Sequence, residues 1–191
     1  MAATTHDTAG PGVPDARAPR TVIETSRLRL REVVPADAPF ILDLVTEPDW
    51  LRYIGDRGVH DLDSAVDYIR NGPQASYATH GFGLWLIERR DDDAPLGLCG
   101  LLARDHLDHP DIGFALRARH HGHGYAREAA AAVLEHARDT LRLSRLLAIV
   151  SPANERSMHL LGRLGFQYTR DVVAPGATSS VRLFEKALAS P

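Results

Sequence analysis

Hydrophobic and polar positions change period along this chain in a way that separates strands from helices. Across residues 21–34 they alternate, with Val22, Leu28 and Leu30 set against Arg27, Arg29 and Arg31. A period of two predicts one strand with a single buried face. Pro35-Ala36-Asp37-Ala38-Pro39 breaks the pattern and opens a helix carrying Phe40, Ile41, Leu44 and Val45 at helical spacing. Prolines are tolerated there because a first helical turn has no use for the missing N–H. A short aromatic stretch at 48–54 follows, and Asp61 starts a second helical segment with Leu62, Ala65, Val66 and Ile69 on one face. Asn71-Gly72-Pro73 reads as its stop.

Residues 82–88 and 96–103 are apolar strands joined by the charged turn at 89–95, the pattern of an antiparallel hairpin with a long tip. A polar turn at 105–110 leads to a fourth strand at 111–117. Its alternation places Asp111, Gly113 and Ala115 on one face and Ile112, Phe114 and Leu116 on the other. Gly113 inside that strand suggests a bulge or a close approach by another backbone or a ligand. An alanine-rich helix has Ala126, Ala129, Ala130, Val133, Ala137 and Leu141 spaced for one buried face. Leu146-Leu147-Ala148-Ile149-Val150 is a continuous apolar run, as expected of a central strand covered on both faces. Ser151-Pro152-Ala153-Asn154 opens a last helix through Ser157, Leu160, Leu161 and Leu164, with Gly165 placed to end it. Residues 166–173 and 181–188 read as closing strands, with Pro175-Gly176 in their connection. The order shows no repeat and no linker, and predicts one mixed α/β domain at 21–191 behind a disordered tail at 1–20 rich in Ala, Thr, Gly and Pro.

Composition narrows the function classes. The 191 residues are 44% hydrophobic and 25% charged, which suits an ordinary globular domain. A net charge of −3 supplies no basic field for nucleic acid or acidic lipid. No apolar run approaches the roughly 20 residues of a membrane helix, and the N-terminus lacks the apolar core of a secretory signal. The lone cysteine, Cys99, sits in an apolar strand and reads as a buried side chain rather than a reactive thiol, which fits a cytoplasmic location.

The stretch with the most chemistry is Arg119-His120-His121-Gly122-His123-Gly124-Tyr125-Ala126, running into the alanine-rich helix. A helix start exposes unpaired N–H groups and partial positive charge, and glycines ahead of it let backbone lie close to an anion. The bland alternative is a tight turn. A P-loop needs Gly-Lys-Ser/Thr, and Gly124 is followed by Tyr125-Ala126. A dinucleotide fingerprint needs a small residue three after Gly124, where Arg127 stands, and an acid about 20 residues on, which is missing. The histidines are crowded into a loop without cysteine or a His-Glu-x-x-His partner, so no metal is expected.

The stretch does resemble Arg/Gln-x-x-Gly-x-Gly/Ala, the acyl-CoA pyrophosphate loop of the GNAT acetyltransferase superfamily, with Arg119, Gly122 and Gly124 at its defined positions. Asp111-Ile112-Gly113-Phe114-Ala115-Leu116 resembles the fourth strand of that fold, and Asn154-x-x-Ser157 followed by Leu164-Gly165-Phe166 resembles its later block. With the opening Glu24-Thr25-Ser26-Arg27-Leu28-Arg29-Leu30-Arg31, the resemblance spans residues 21–188 and looks most like the branch of ribosomal-protein alanine N-acetyltransferases.

That resemblance implies a mixed, mostly antiparallel sheet of about six to seven strands flanked by helices, with a splayed cleft between strands four and five. It implies acetyl-CoA as co-substrate. N–H groups across His121, Gly122, His123, Gly124, Tyr125 and Ala126 would hold the pyrophosphate, and His121 and His123 would add affinity at lower pH. Phe114, Ala115 and Leu116 would offer backbone to the pantetheine arm and a donor to the thioester oxygen. Asn154 and Ser157 would contact the same arm, although a helix cap explains Asn154 equally. The tyrosine that many members carry four residues before Gly-Phe is replaced by Leu161, which makes Ser157 the candidate proton donor. Asp111 matches the acidic residue before Ile-Gly-Phe and is the candidate base, with His109 and Glu88 as alternatives. Trp50, Arg52 and Tyr53 either line a pocket or pack on the sheet. The expected reaction is direct acetyl transfer to a protein N-terminal or small-molecule amine, by a monomer or homodimer. A non-catalytic acyl-CoA-binding module and a transferase for another acyl chain are the alternatives.

Overall fold

The computed structural model describes residues 19–173 and 179–188. The expected tail at 1–20 falls almost wholly outside the described residues, as does Pro175-Gly176. The described residues form eight strands: β1 (Thr21–Glu24), β2 (Leu28–Arg31), β3 (Leu84–Arg89), β4 (Pro95–Leu102), β5 (Asp111–Leu116), β6 (Arg145–Val150), β7 (Gln167–Val172) and β8 (Val181–Ala187). They form one sheet in the order β1-β2-β3-β4-β5-β6-β8-β7. Every pairing is antiparallel except that of β5 with β6, which is parallel.

Helices α1 (Ala38–Val45), α2 (Pro48–Tyr53), α3 (Leu62–Ile69) and α4 (Ala75–His80) precede β3, while α5 (Tyr125–Asp139) and α6 (Glu155–Arg163) flank β6. Strand alternation sends side chains to two cores. Leu28, Leu30, Trp85, Ile87, Cys99, Ile112 and Leu116 pack with Ala129, Ala130 and Val133 of α5. Leu86, Leu98 and Ala115 face the other way, against Ile41, Leu44, Trp50, Ala65 and Ile69 of α1 to α3. Small alanines on α5 let its backbone sit close to the sheet. Burial pushes the Cys99 thiol up, in keeping with a packed rather than a reactive side chain.

Four expectations are corrected. The strand expected at 21–34 is a hairpin of β1 and β2, because a partner far along the chain fixes the turn between them. Glu128 on α5 accepts from Thr25 Oγ1 at 2.6 Å, from the Arg27 backbone N–H at 3.0 Å and from Arg27 Nε at 2.7 Å. With β1 separate, the sheet has eight strands rather than six to seven. Asn71-Gly72-Pro73 does not stop its helix. A π turn, Arg70–Gln74, carries α3 into α4, since a wider turn accommodates a proline that an α-helix interior rejects. Leu62, expected on the buried face of α3, is 51% exposed at the helix's first position.

Candidate functional site

The parallel pair β5–β6 meets at one rung, Asp111 opposite Leu147, where the Leu147 N–H donates to Pro110 O at 3.0 Å. Beyond that rung the strands pair no further. In an extended strand the N–H and C=O of successive residues point to opposite edges. The Arg117 N–H donates to Leu96 O of β4, so Ala115 and Gly113 also turn their polar groups toward β4. Phe114 and Leu116 therefore present theirs to the gap. This reduces the expected set of three to two, since the polar groups of Ala115 are directed to the β4 ladder. Gly113 makes no bulge: its pairing with Gly100 lies in an unbroken register. A Cβ there would lie 2.8 Å from the tip of the Leu102 side chain, which would have to shift to admit it.

The glycine loop follows through a 3-10 turn, Ala118–His120. Gly122 and Gly124 have φ of +81° and +80°, a left-handed conformation that L side chains resist. Gly124 is the N-cap of α5, so the helix begins where the resemblance needs an anion site. The His121 N–H is already taken by Ala118 O at 3.1 Å. From Gly122 onward the loop N–H groups meet no backbone acceptor among the described residues, and the first turn of α5 leaves more of them open. Arg119 is exposed, donates to His120 Nε2 at 3.1 Å and does not border the gap. His121 is the loop side chain that turns inward. Its Nε2–H donates to Leu116 O at 2.9 Å, and its Nδ1 accepts from Arg156 Nη1 at 2.5 Å. His123 stacks on Tyr125, and its Nδ1 donates to His121 O at 2.9 Å. Both rings are thus folded back onto the protein rather than extended toward a phosphate.

Across the gap stands the start of α6. The Asn154 side-chain oxygen accepts from the Ser157 N–H at 3.1 Å, so the capping role is real. That leaves the Asn154 side-chain NH₂ as the polar group available to a ligand. Ser157 borders the same space, and Leu161, fully buried, occupies the position where many relatives of the resembled family have tyrosine.

A cavity of about 700 Å³ joins this gap to a second half roofed by α2, α3 and α4. It is bordered on the gap side by Phe114, Leu116, His121, Ala126, Asn154 and Ser157. On the far side lie Trp50, Tyr53, Tyr68, Asn71, Pro73 and Arg104. Asp111 lines the cavity at the rung where β5 and β6 meet and is 1% exposed. Arg104 Nε donates to Asp111 Oδ1 at 2.8 Å. Burial pushes the Asp111 carboxyl above its ordinary range, and the positive charges of Arg104 and His106 oppose that rise without cancelling it. The alternatives do not share this position. Glu88 is held by Arg31 Nε at 2.7 Å and Arg29 Nη1 at 3.5 Å on the β2–β3 face, away from the cavity. His109 lies in the turn before β5 and does not line it. Of the three aromatic-stretch residues, Trp50 and Tyr53 border the cavity, whereas Arg52 lies over the Tyr53 ring. The Trp50 Nε1–H is buried without a partner among the described residues.

Sequence reading missed Arg104 and Tyr68. Arg104 follows a strand end in a polar turn and carries no pattern; Tyr68 lies beside the apolar stripe of α3 and borders the cavity. It also missed the bridge from Arg156 Nη2 to Asp49 Oδ2, 3.1 Å long, which ties α6 to α2 across the cavity mouth.

Comparison with known proteins agrees with this geometry. The family model for the acetyltransferase (GNAT) domain matches residues 27–167. The uncharacterized N-acetyltransferase YoaA of Bacillus subtilis is 32% identical over 148 residues, covering 76% of this chain and 82% of YoaA. A GNAT-family acetyltransferase structure from Bordetella pertussis superposes with a TM-score of 0.73 at 26% identity, covering 88% of this chain and all of the other (100%). The fold is also that of RimL, a ribosomal L7/L12 α-N-protein acetyltransferase in complex with coenzyme A (TM-score 0.73, 16% identity, 86% and 96% coverage). Among the described residues no helix is long and apolar enough to cross a membrane.

Proposed function

This chain belongs to the GNAT acetyltransferase family, and from that premise we propose that it passes the acetyl group of acetyl-CoA directly to a primary amine, with Asp111 as general base. Its donor is acetyl-CoA, as for the family. The open edge of β5, the unpaired loop N–H groups and the cavity between them fit such a donor: an amide-bearing arm can pair with Phe114 and Leu116, and an anion can rest on the start of α5. The N–H groups from Gly122 to Ala126 are assigned to the pyrophosphate, and the Asn154 NH₂ and Ser157 to the arm.

The observation that carries the reading is the place of Asp111. It is a buried carboxylate on the strand whose open edge faces the gap, and it borders the half of the cavity that is left for an acceptor. An ammonium group has no lone pair, so a base must take its proton before or during attack. A carboxylate with a raised pKa is better matched to that task than a solvated one. The amine nitrogen then bonds to the acetyl carbon, and the carbon–sulfur bond breaks. Two protons leave nitrogen between ammonium and amide: one goes to Asp111 and the other to solvent, and the departing thiolate takes one back from solvent, directly or relayed through the Ser157 hydroxyl, which is reprotonated in turn. The Phe114 N–H, directed into the gap, is the donor for the oxygen that gains charge. The acceptor is a protein N-terminal amine or a small-molecule amine.

Thiol release from acetyl-CoA, measured against a panel of small amines and N-terminal peptides, tests this. Release that depends on amine and yields the N-acetylated product is the expected result. Coenzyme A binding without release across the panel would leave a binding module instead.

A further inference from the structure

Two side-chain donor groups on the acceptor side of the cavity, those of Arg104 and Trp50, are left without a partner among the described residues. A guanidinium carries five N–H groups in a rigid fork and accepts nothing. Arg104 commits Nε to Asp111 Oδ1 at 2.8 Å, and its Nη1 and Nη2 meet no acceptor among the described residues. Its side chain is 26% exposed and borders the cavity, so the two free nitrogens are open to solvent or to a ligand. Arg156, another cation on the cavity wall, is engaged by Asp49 and His121. Arg57 lies on the exposed rim. On the same wall the Trp50 Nε1–H is buried and unpartnered. A buried donor left without an acceptor costs free energy that a ligand oxygen would restore.

The pairing of Arg104 with Asp111 adds a spatial rule. The base and the free donors belong to side chains already in contact, so an acceptor whose amine reaches Asp111 places its next few atoms beside Arg104. An α-amino carbonyl compound has its oxygen two carbon atoms from the amine nitrogen, within reach of that fork. Polyamines and plain alkylamines offer no such oxygen.

We propose that Arg104 is a specificity-determining residue that holds the oxygen next to the acceptor amine, so that the chain selects α-amino carbonyl acceptors over amines lacking that oxygen. This rests on the reading of Asp111 as the base in amine acetylation. Arg104 would serve the acceptor through Nη and fix the Asp111 carboxylate through Nε.

The experiment compares kcat/KM for alaninamide, for a peptide beginning with alanine and for isopropylamine, in the wild-type chain and in Arg104→Met and Arg104→Lys. The wild type is expected to prefer both carbonyl-bearing acceptors. Arg104→Met should cut the alaninamide-to-isopropylamine ratio by about tenfold or more, the usual effect of leaving a polar recognition unmade. Lysine should restore only part of it, because a point charge does not reproduce the fork. Loss of Asp111 positioning alone would slow all acceptors together and leave the ratio unchanged, which would overturn the assignment. Comparison of alaninamide with the peptide tells whether the oxygen is read on a free small molecule or at a chain terminus. Absence of acetylation of every acceptor by the wild type, despite bound coenzyme A, would sink the transfer reading and the Arg104 assignment with it.

Discussion

The two halves of the cavity are built from different materials. On the proposed donor side, between β5 and α6, the groups assigned to recognition belong mostly to backbone: the gap-facing edge of Phe114 and Leu116, the loop from Gly122, and the first turn of α5. On the proposed acceptor side the lining consists of side chains from distant segments, with Trp50 from α2, Tyr68 from α3, Arg104 after β4 and Asp111 at the start of β5. Backbone recognition needs a conformation and tolerates many side chains, so it suits a donor that a whole family shares. Side-chain recognition is free to vary while the sheet stays the same, so it suits the acceptor. The family identity of this chain therefore says much about the first half and little about the second.

Substitutions that attack conformation on one side and chemistry on the other sharpen that contrast. The largest effect is expected at Gly124, whose φ of +80° strains any β-branched side chain. Gly124→Val should abolish detectable coenzyme A binding by calorimetry while the circular dichroism spectrum stays that of a folded domain. Survival of the affinity would show that the phosphates sit elsewhere.

Asp111→Asn comes next and tests chemistry alone. It should keep coenzyme A binding and lower kcat by about 10² to 10⁴, the range for loss of a general base. The wild-type pH profile gives the same group a second reading. Protonation removes the base, so kcat/KM falls as pH drops through the Asp111 pKa. Because burial raises that pKa against the pull of Arg104 and His106, the acid limb should lie above the ordinary carboxylate range. A profile flat down to that range, or one unchanged in Asp111→Asn, would move the base to another residue.

The smallest effect separates the two roles of Asn154. Asn154→Ala removes the cap on the Ser157 N–H and should cost about 1 kcal/mol in denaturant unfolding. Asn154→Asp keeps a capping oxygen but loses the NH₂ donor, so stability should hold while coenzyme A affinity falls. Equal affinity in wild type and Asn154→Asp would leave the residue with the cap only.

How far the sequence could be read follows the same division. Period and breakers are local, so β3 to β6, α5 and α6 were legible, and so was the facing of Asp111 against Phe114 and Leu116. The glycine loop was legible because a left-handed turn before a helix has few residue solutions. The split of β1 from β2 was not, because its cause, Glu128, lies on a helix remote in sequence from Thr25 and Arg27. The π turn at Arg70–Gln74 was hidden for a different reason: Gly-Pro is a stop signal in most helices, and only packing reveals that this one continues. Arg119 and His121 show the limit within the loop itself. A motif counts positions, whereas the direction of a side chain depends on the turn that carries it. The structure sends Arg119 outward and His121 onto Leu116.

The single rung between Asp111 and Leu147 also divides the sheet into two plates, β1 to β5 and β6 with β8 and β7, held together along that seam at one end only. Amide hydrogens report such a seam directly. Those of Phe114 and Leu116 lie in the middle of an eight-stranded sheet yet lack a strand partner on the gap side, so they should exchange with deuterated water as quickly as a loop does in the free chain. A bound donor, with its thioester oxygen on the Phe114 N–H and its pantetheine arm on the Leu116 N–H, would act as a missing ninth strand. Their slowing would then measure how completely the donor, rather than the protein, finishes the sheet.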